Sequence, residues 1–288
     1  MGGQHSHDGQ GRNMRSLGIA ALLTGSFMVI EVAGGLMTNS LALIADAAHM
    51  LTDFGSLVLA WYGFRLARRP ADWRHTYGFD RFSVLTSFVN GLTLIFIAVW
   101  ITVEAVGRIE QPAPVLGGPM LAVAVAGLVI NIVALLIVRS GDRENLNIRG
   151  AALHVLGDLL GSVGAIAAAV VILTTGWTYA DPLVSVLVAV ILLQGAWQVV
   201  RDAGRILLEA APQDLDVRTV AEELQAAFDG IEVSHTHAWS LTQERRLITL
   251  EVAVPRDRDG EQVRDGVKRL LHDRFNLSHA TVELRYRD

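Results

Sequence analysis

Between Val115 and Val138 the chain runs twenty-four residues without an Asp, Glu, Lys or Arg. About 20 mostly apolar residues are what an α-helix needs to cross the hydrocarbon core of a bilayer. Five further stretches qualify: Leu17–Met37, Leu41–Leu66, Phe82–Val106, Ala151–Thr174 and Asp181–Val200. In lipid every backbone N–H and C=O must find its partner inside the protein, so six such stretches predict six helices. The breaks between them carry turn chemistry. Thr38, Asn39 and Ser40 can cap the second helix. Pro112 and Pro114 separate the third from the fourth, and Gly176 to Pro182 the fifth from the sixth. Leu17–Met37 follows Arg12 and Arg15 without a small-residue cleavage pattern, so it reads as an anchor rather than a removed signal peptide.

Charge then divides the chain. The first 211 residues carry 27 charged side chains and the last 77 carry 26. The sequence therefore predicts a flexible N-terminal tail over residues 1–16, a transmembrane domain over 17–210 and an aqueous domain over 211–288. Arginines mark the sides of the membrane. Arg12, Arg15, Arg65, Arg68, Arg69, Arg74, Arg81, Arg139, Arg143, Arg149, Arg201 and Arg205 fall on one side, and only Arg108 on the other. Both termini are expected to be cytoplasmic. In the last part, Val217–Phe228 and Glu261–Phe275 read as helices, and Glu232–Ser240, Leu247–Val254 and Ala280–Tyr286 as strands of a small antiparallel sheet. The net charge of −5 argues against a nucleic-acid partner, and the absence of cysteine excludes disulfides, thiolate metal sites and Cys nucleophiles.

An ionisable group inside a spanning helix costs about 2.5–3.5 kcal/mol on insertion scales, so each one calls for a reason. The second span holds Asp46, His49 and Asp53, and the fifth holds His154 and Asp158. One spacing, His-x-x-x-Asp, occurs in both. Residues four apart share a helix face, about 6 Å apart along the axis. Two such helices facing each other would bring two imidazoles and two carboxylates to one point, a tetrahedral donor set suited to Zn²⁺. The two carboxylates would offset the charge of one divalent cation. Asp46, one turn before His49, is either an outer partner of that set or a group on its access path.

These residues carry a resemblance. The run SLALIADAAHMLTD from Ser40 to Asp53 resembles the second-helix signature of the cation diffusion facilitator family, and Leu153 to Asp158 its fifth-helix counterpart. Arg74 to Arg81 is similar to the family's loop between the second and third helices, and His237 to Trp239 to a cytoplasmic strand. The resemblance implies a homodimeric divalent-metal/proton antiporter rather than an enzyme. It also implies six transmembrane helices, a ferredoxin-like, metallochaperone-like α+β cytoplasmic domain, and metal export by alternating access. Position by position it implies a transport site of His49, Asp53, His154 and Asp158 in the zinc-preferring branch, with Zn²⁺ as cargo. It further implies a loop site at Asp72 and His75, weakened because Phe79 stands in its third position. A cytoplasmic zinc site would draw on His235, His237, His279 and Glu283, with both rings of 235 and 237 on one strand face; Glu251 stands where some members have histidine. Arg81 and Glu209 resemble a charge interlock tying the membrane part to the cytoplasmic part near the dimer seam. The bacterial inner membrane is the expected location.

Two other classes also bury or carry metal. An intramembrane metalloprotease needs an open coordination position and a general base, typically in His-Glu-x-x-His, which neither pair supplies. A membrane-anchored metal sensor would not explain ionisable groups in mid-span.

Overall fold

The computed structural model describes residues 4–51, 54–55, 72–139, 146–242, 245–277 and 279–287, with the side chains of 4–18, 20–21, 138–139, 146–154 and 156–157 left aside. The helical elements are α1 (Gln4–Thr38), α2 (Leu41–Leu51), α3 (Asp80–Glu110), α4 (Gly117–Arg139), α5 (Leu146–Thr175), α6 (Ala180–Leu207), α7 (Val217–Ala227) and α8 (Gly260–Phe275). The strands are β1 (Glu232–Ser240), β2 (Arg246–Pro255) and β3 (His279–Arg287). They group into two compact units, residues 1–58 with 90–198, and residues 59–89 with 199–288.

Among the described residues, four helices are long and apolar enough to cross a membrane: Asp80–Glu110, Gly117–Ile137, Asp158–Thr175 and Ala180–Leu207. Leu22–Thr38 and Leu41–Leu51 are shorter apolar helices. The expected extension of the second span to Leu66, and the loop centred on residues 140–145, lie outside the described residues. Helix α1 runs from Gln4 to Thr38, through the whole of the first expected span.

The interior of the first unit is lined by small residues. Ala42, Ala124, Ala165, Ala168 and Ala169 pack with Leu43, Met120 and Ile172 across α2, α4 and α5. Ala45, Ala98 and Ala189 meet Ile101 and Leu192 across α2, α3 and α6. Small side chains let helix backbones approach where no hydrophobic drive separates protein from lipid. The outward faces are large and apolar, with Leu22, Phe96, Val103, Leu136, Leu187 and Trp197 exposed.

The turn from α1 to α2 is held from a distance. Ser40 caps α2, its Oγ accepting from the Leu43 N–H at 3.2 Å. The fully buried Asp181, at the start of α6, accepts from Ser40 Oγ at 2.5 Å and from the N–H groups of Leu41 and Ala42 at 2.8 and 3.2 Å. A carboxylate on a helix N-terminus satisfies orphan donors and complements the dipole. It fixes α2 against α6.

The second unit has a hydrophobic core of its own. Val220 and Leu224 of α7, Val263, Val267 and Leu271 of α8, and Ile248, Leu250, Val252 and Val254 of the central strand are all buried together. Asp216 and Asp259 cap α7 and α8 through side-chain bonds to the first-turn N–H groups. The sheet order is β1-β2-β3, with β1 antiparallel to β2 and β3 parallel to it. The expected all-antiparallel sheet is thus corrected to a mixed one. The reason is topological: α8 lies between β2 and β3 in the chain, and a crossover helix returns the next strand in the same direction.

Candidate metal-transport site

The paired motifs meet in the first unit. His49, on the last turns of α2, brings its Nε2 to 3.8 Å from Oδ1 of Asp158 on α5. The carboxylate is 3% exposed and the imidazole 27%, so a buried acid faces a group that solvent still reaches. One member of each His-x-x-x-Asp pair therefore lies beside the other. Asp53 lies outside the described residues, as does the side chain of His154. Among the described residues no three His, Asp or Glu groups converge as a metal cluster.

Around this pair lies polar structure that spacing alone did not reveal. Asp46 is 3% exposed and accepts from Ser162 Oγ at 3.5 Å. Ser162, one turn beyond Asp158 on the same face of α5, also accepts from Asn131 Nδ2 at 3.3 Å. Asn131 thereby makes a hydrogen bond between α4 and α5. Ser162 carried no signal, because a hydroxyl in an apolar helix usually bonds its own backbone.

A profile described as "Cation efflux transmembrane domain" matches residues 17–208, and one described as "Cation efflux protein, cytoplasmic domain" matches residues 212–284. The chain is 43% identical over 283 residues to "Zinc transporter ZitB" of Escherichia coli, covering 98% of this chain and 90% of that protein. The chain belongs to the cation diffusion facilitator (cation efflux) family. It is also 41% identical over 285 residues to "Metal cation efflux system protein CzcD" of Cupriavidus metallidurans, covering 98% and 90% of the two chains. To the "Cadmium, cobalt and zinc/H(+)-K(+) antiporter" of Bacillus velezensis it is 38% identical over 291 residues, covering 99% and 92%. This family member is accordingly an integral membrane protein with a cytoplasmic domain, and its relatives are named as transporters and efflux proteins rather than as enzymes.

The other sequence-expected residues lie in the second unit. Asp72 Oδ1 accepts from the backbone N–H groups of Arg74 and His75, at 2.8 and 2.5 Å, and lies 3.2 Å from His75 Nδ1. The backbone N–H of His75 foremost holds the Asp72 carboxyl below its usual range. The His75 ring stacks on Phe79 at 4.5 Å, so the third position of that loop packs against the histidine instead of offering a donor. Arg81 Nη2 donates to Glu209 Oε1 at 2.9 Å, and Glu209 adopts a left-handed φ of 58° just after α6. Arg81, Glu209, His75 and His237 share the lining of an open cavity of about 740 Å³.

The cytoplasmic candidates are not gathered. His237 on β1 lies opposite Thr249 of β2, whereas Glu283 on β3 lies opposite Glu251 of β2. They stand on opposite edge strands, about 9–10 Å apart across the sheet before any offset along it. Glu251, between them, is held by Arg285 at 3.2 Å. His279 faces Tyr77 edge-on at 6.4 Å. The expected His235/His237 alternation meets a β-bulge: the register shifts between Ser234 and His237, and His235 takes a φ of 49°. An extra residue in the strand breaks the period of two on which that expectation rested.

Proposed function

We propose that this chain exports divalent metal cations, Zn²⁺ foremost, from the cytoplasm by exchange with protons in an alternating-access cycle. The site is a tetrahedral set of His49, Asp53, His154 and Asp158 between α2 and α5. The observation that carries this reading is the His49–Asp158 approach inside the membrane unit. Imidazole nitrogen and carboxylate oxygen are donors suited to Zn²⁺, and the set closes at four protein ligands, which holds a cargo but leaves no position for hydrolytic chemistry. The names of the relatives, which include zinc, cadmium and cobalt and in one case protons and potassium, support the cargo and the exchange. The working form is a homodimer in the bacterial inner membrane with both termini cytoplasmic, divided near residues 17–210 and 211–288. Arg81 and Glu209 act as its charge interlock. His235, His237, His279 and Glu283 are regulatory zinc contacts at most, and Asp72 with His75 forms a loop site of low affinity.

Counting metal moved per protein in sealed proteoliposomes tests the reading. A transporter delivers many Zn²⁺ per chain into the lumen, whereas uptake that stops at one or two per chain identifies a sensor and overturns it.

A further inference from the structure

Four helices of the membrane unit send a second set of polar side chains inward beside the His49–Asp158 pair. Glu31 comes from α1, Asp46 from α2, Asn131 from α4 and Ser162 from α5, and none is more than 3% exposed. The Glu31 carboxyl faces that of Asp46, and both feel the charge of Asp158. Two glycines make the room. A Cβ at Gly127 would come 2.9 Å from the Phe27 ring and 3.4 Å from Glu31 Oε1, and a Cβ at Gly161 would strike the Asp46 carboxylate. The helices close around these carboxyls.

Apart from the Asp46 carboxyl, both oxygens of Glu31 are buried without a donor among the described residues, and Oδ1 of Asn131 is buried in the same way. Natural structures rarely leave such atoms unmet without a functional reason. The titratable groups acting on Glu31 are Asp46 from α2 and, through its charge, Asp158 from α5, with Ser162 and Asn131 in a hydrogen-bonded chain behind Asp46. Among the described side chains of this unit the only Lys or Arg is Arg108. It is engaged elsewhere, by Glu104 Oε1 at 3.1 Å and Asn39 Oδ1 at 2.9 Å. Two carboxylates buried side by side, with no lysine or arginine beside them among the described side chains, cannot both remain ionised.

We propose that Glu31, faced by Asp46, is a proton-carrying site separate from the metal ligands: it holds one proton while the metal site is empty and gives it up when a divalent cation arrives beside Asp158. This rests on the transport site proposed above. In the step, the cation's two positive charges reach Asp158, the O–H bond of the Glu31 carboxyl breaks, and its proton leaves to water. The carboxylate left behind is stabilised by the metal's field. On metal release a proton from the opposite side re-forms the O–H bond. Nothing is oxidised or reduced.

The test uses the full-length protein in detergent with Zn²⁺ alone. Isothermal titration across about pH 6–8 in wild type and Glu31→Gln gives the protons released per metal. The expected result is that Glu31→Gln still binds Zn²⁺ but releases about one proton fewer, so its apparent affinity rises about tenfold less per pH unit. Equal proton release in the two proteins overturns the proposal. A second measurement needs no variant. In infrared difference spectra of wild type, the carbonyl stretch of a protonated carboxyl should vanish on Zn²⁺ addition and should shift in protein carrying [¹³C]glutamate. A band that persists, or that ignores the label, overturns it equally. An Asp158→Asn protein that binds Zn²⁺ like wild type would instead sink the transport-site reading, so the two failures are distinguishable.

Discussion

The two units of this molecule use acidic residues in opposite ways. In the second unit carboxylates are numerous and answered by arginine: the exposed Asp216 by Arg218, Asp214 by Arg246 and Glu232 by Arg287, and the half-buried Glu251 by Arg285. Such pairs are worth about 0–1 kcal/mol each and serve solubility and local geometry. In the first unit three carboxylates are buried away from any guanidinium among the described residues: Glu31, Asp46 and Asp158 are each 3% exposed or less, and a histidine, a serine or another acid faces them. Asp181 shows the structural use of a buried acid, since its oxygens are saturated by the α2 N-terminus. Burial alone therefore does not fix what an acid does: Asp181 is as buried as the other three, yet it accepts from the α2 N-terminus.

That contrast can be broken most severely at Asp158. Asp158→Ala should lower zinc transport more than about 100-fold, since even outer partners of metal ligands are worth roughly 10–100-fold. The protein should still insert and fold. Initial uptake in proteoliposomes, normalised to inserted protein, checks it; near-normal uptake would reduce Asp158 to a helix-packing residue.

A smaller effect is expected at His49. His49→Asp turns two imidazoles and two carboxylates into one imidazole and three carboxylates, a harder set that suits larger cations such as Cd²⁺ and Mn²⁺. The ratio of Cd²⁺ or Mn²⁺ uptake to Zn²⁺ uptake should rise several-fold, measured side by side in matched vesicles. An unchanged ratio in an active variant would remove His49 from the site.

The smallest effect belongs to the exposed loop of the second unit. The Asp72 carboxyl is held below its ordinary value by the N–H of His75, then by the Arg74 N–H and the His75 ring. A depressed carboxylate contributes order above its unfolded pKa and loses it as pH falls through the folded one. The side-chain carboxyl resonance of Asp72 should thus keep its ionised position down to about pH 4, the usual carboxylate range, and move only below it. Protonation of that carboxyl already above this range would mean that the backbone N–H groups do not hold it.

How much of this was legible beforehand follows from the same contrast. Long apolar runs declare themselves, because lipid admits one backbone solution, and His49 and Asp158 declare themselves because two identical spacings in two spans are improbable without a shared ligand. The cytoplasmic elements were legible to within a residue or two, from Val220 and Leu224 at helical period to Val282, Leu284 and Tyr286 at strand period. The strand direction of β3 was less so, because period tells which face a residue takes and not which way the chain runs. The bulge at His235 was invisible because it depends on one backbone angle. Glu31 was visible but reads from sequence as a structural group in the bundle: a lone acid in a span acquires meaning only when α2 brings Asp46 to it.

The central claim is that buried ligands in the membrane unit trade metal for protons. The direct measurement is Zn²⁺ entry into proteoliposomes carrying a luminal pH dye, with pH gradients of either sign imposed across the same preparation. Imidazoles with a reference pKa near 6.5 must be deprotonated to bind metal. An acidic lumen should therefore speed Zn²⁺ entry and be alkalinised by it, while an alkaline lumen should slow it. Entry at one rate under both gradients, with no luminal proton loss, would contradict the account.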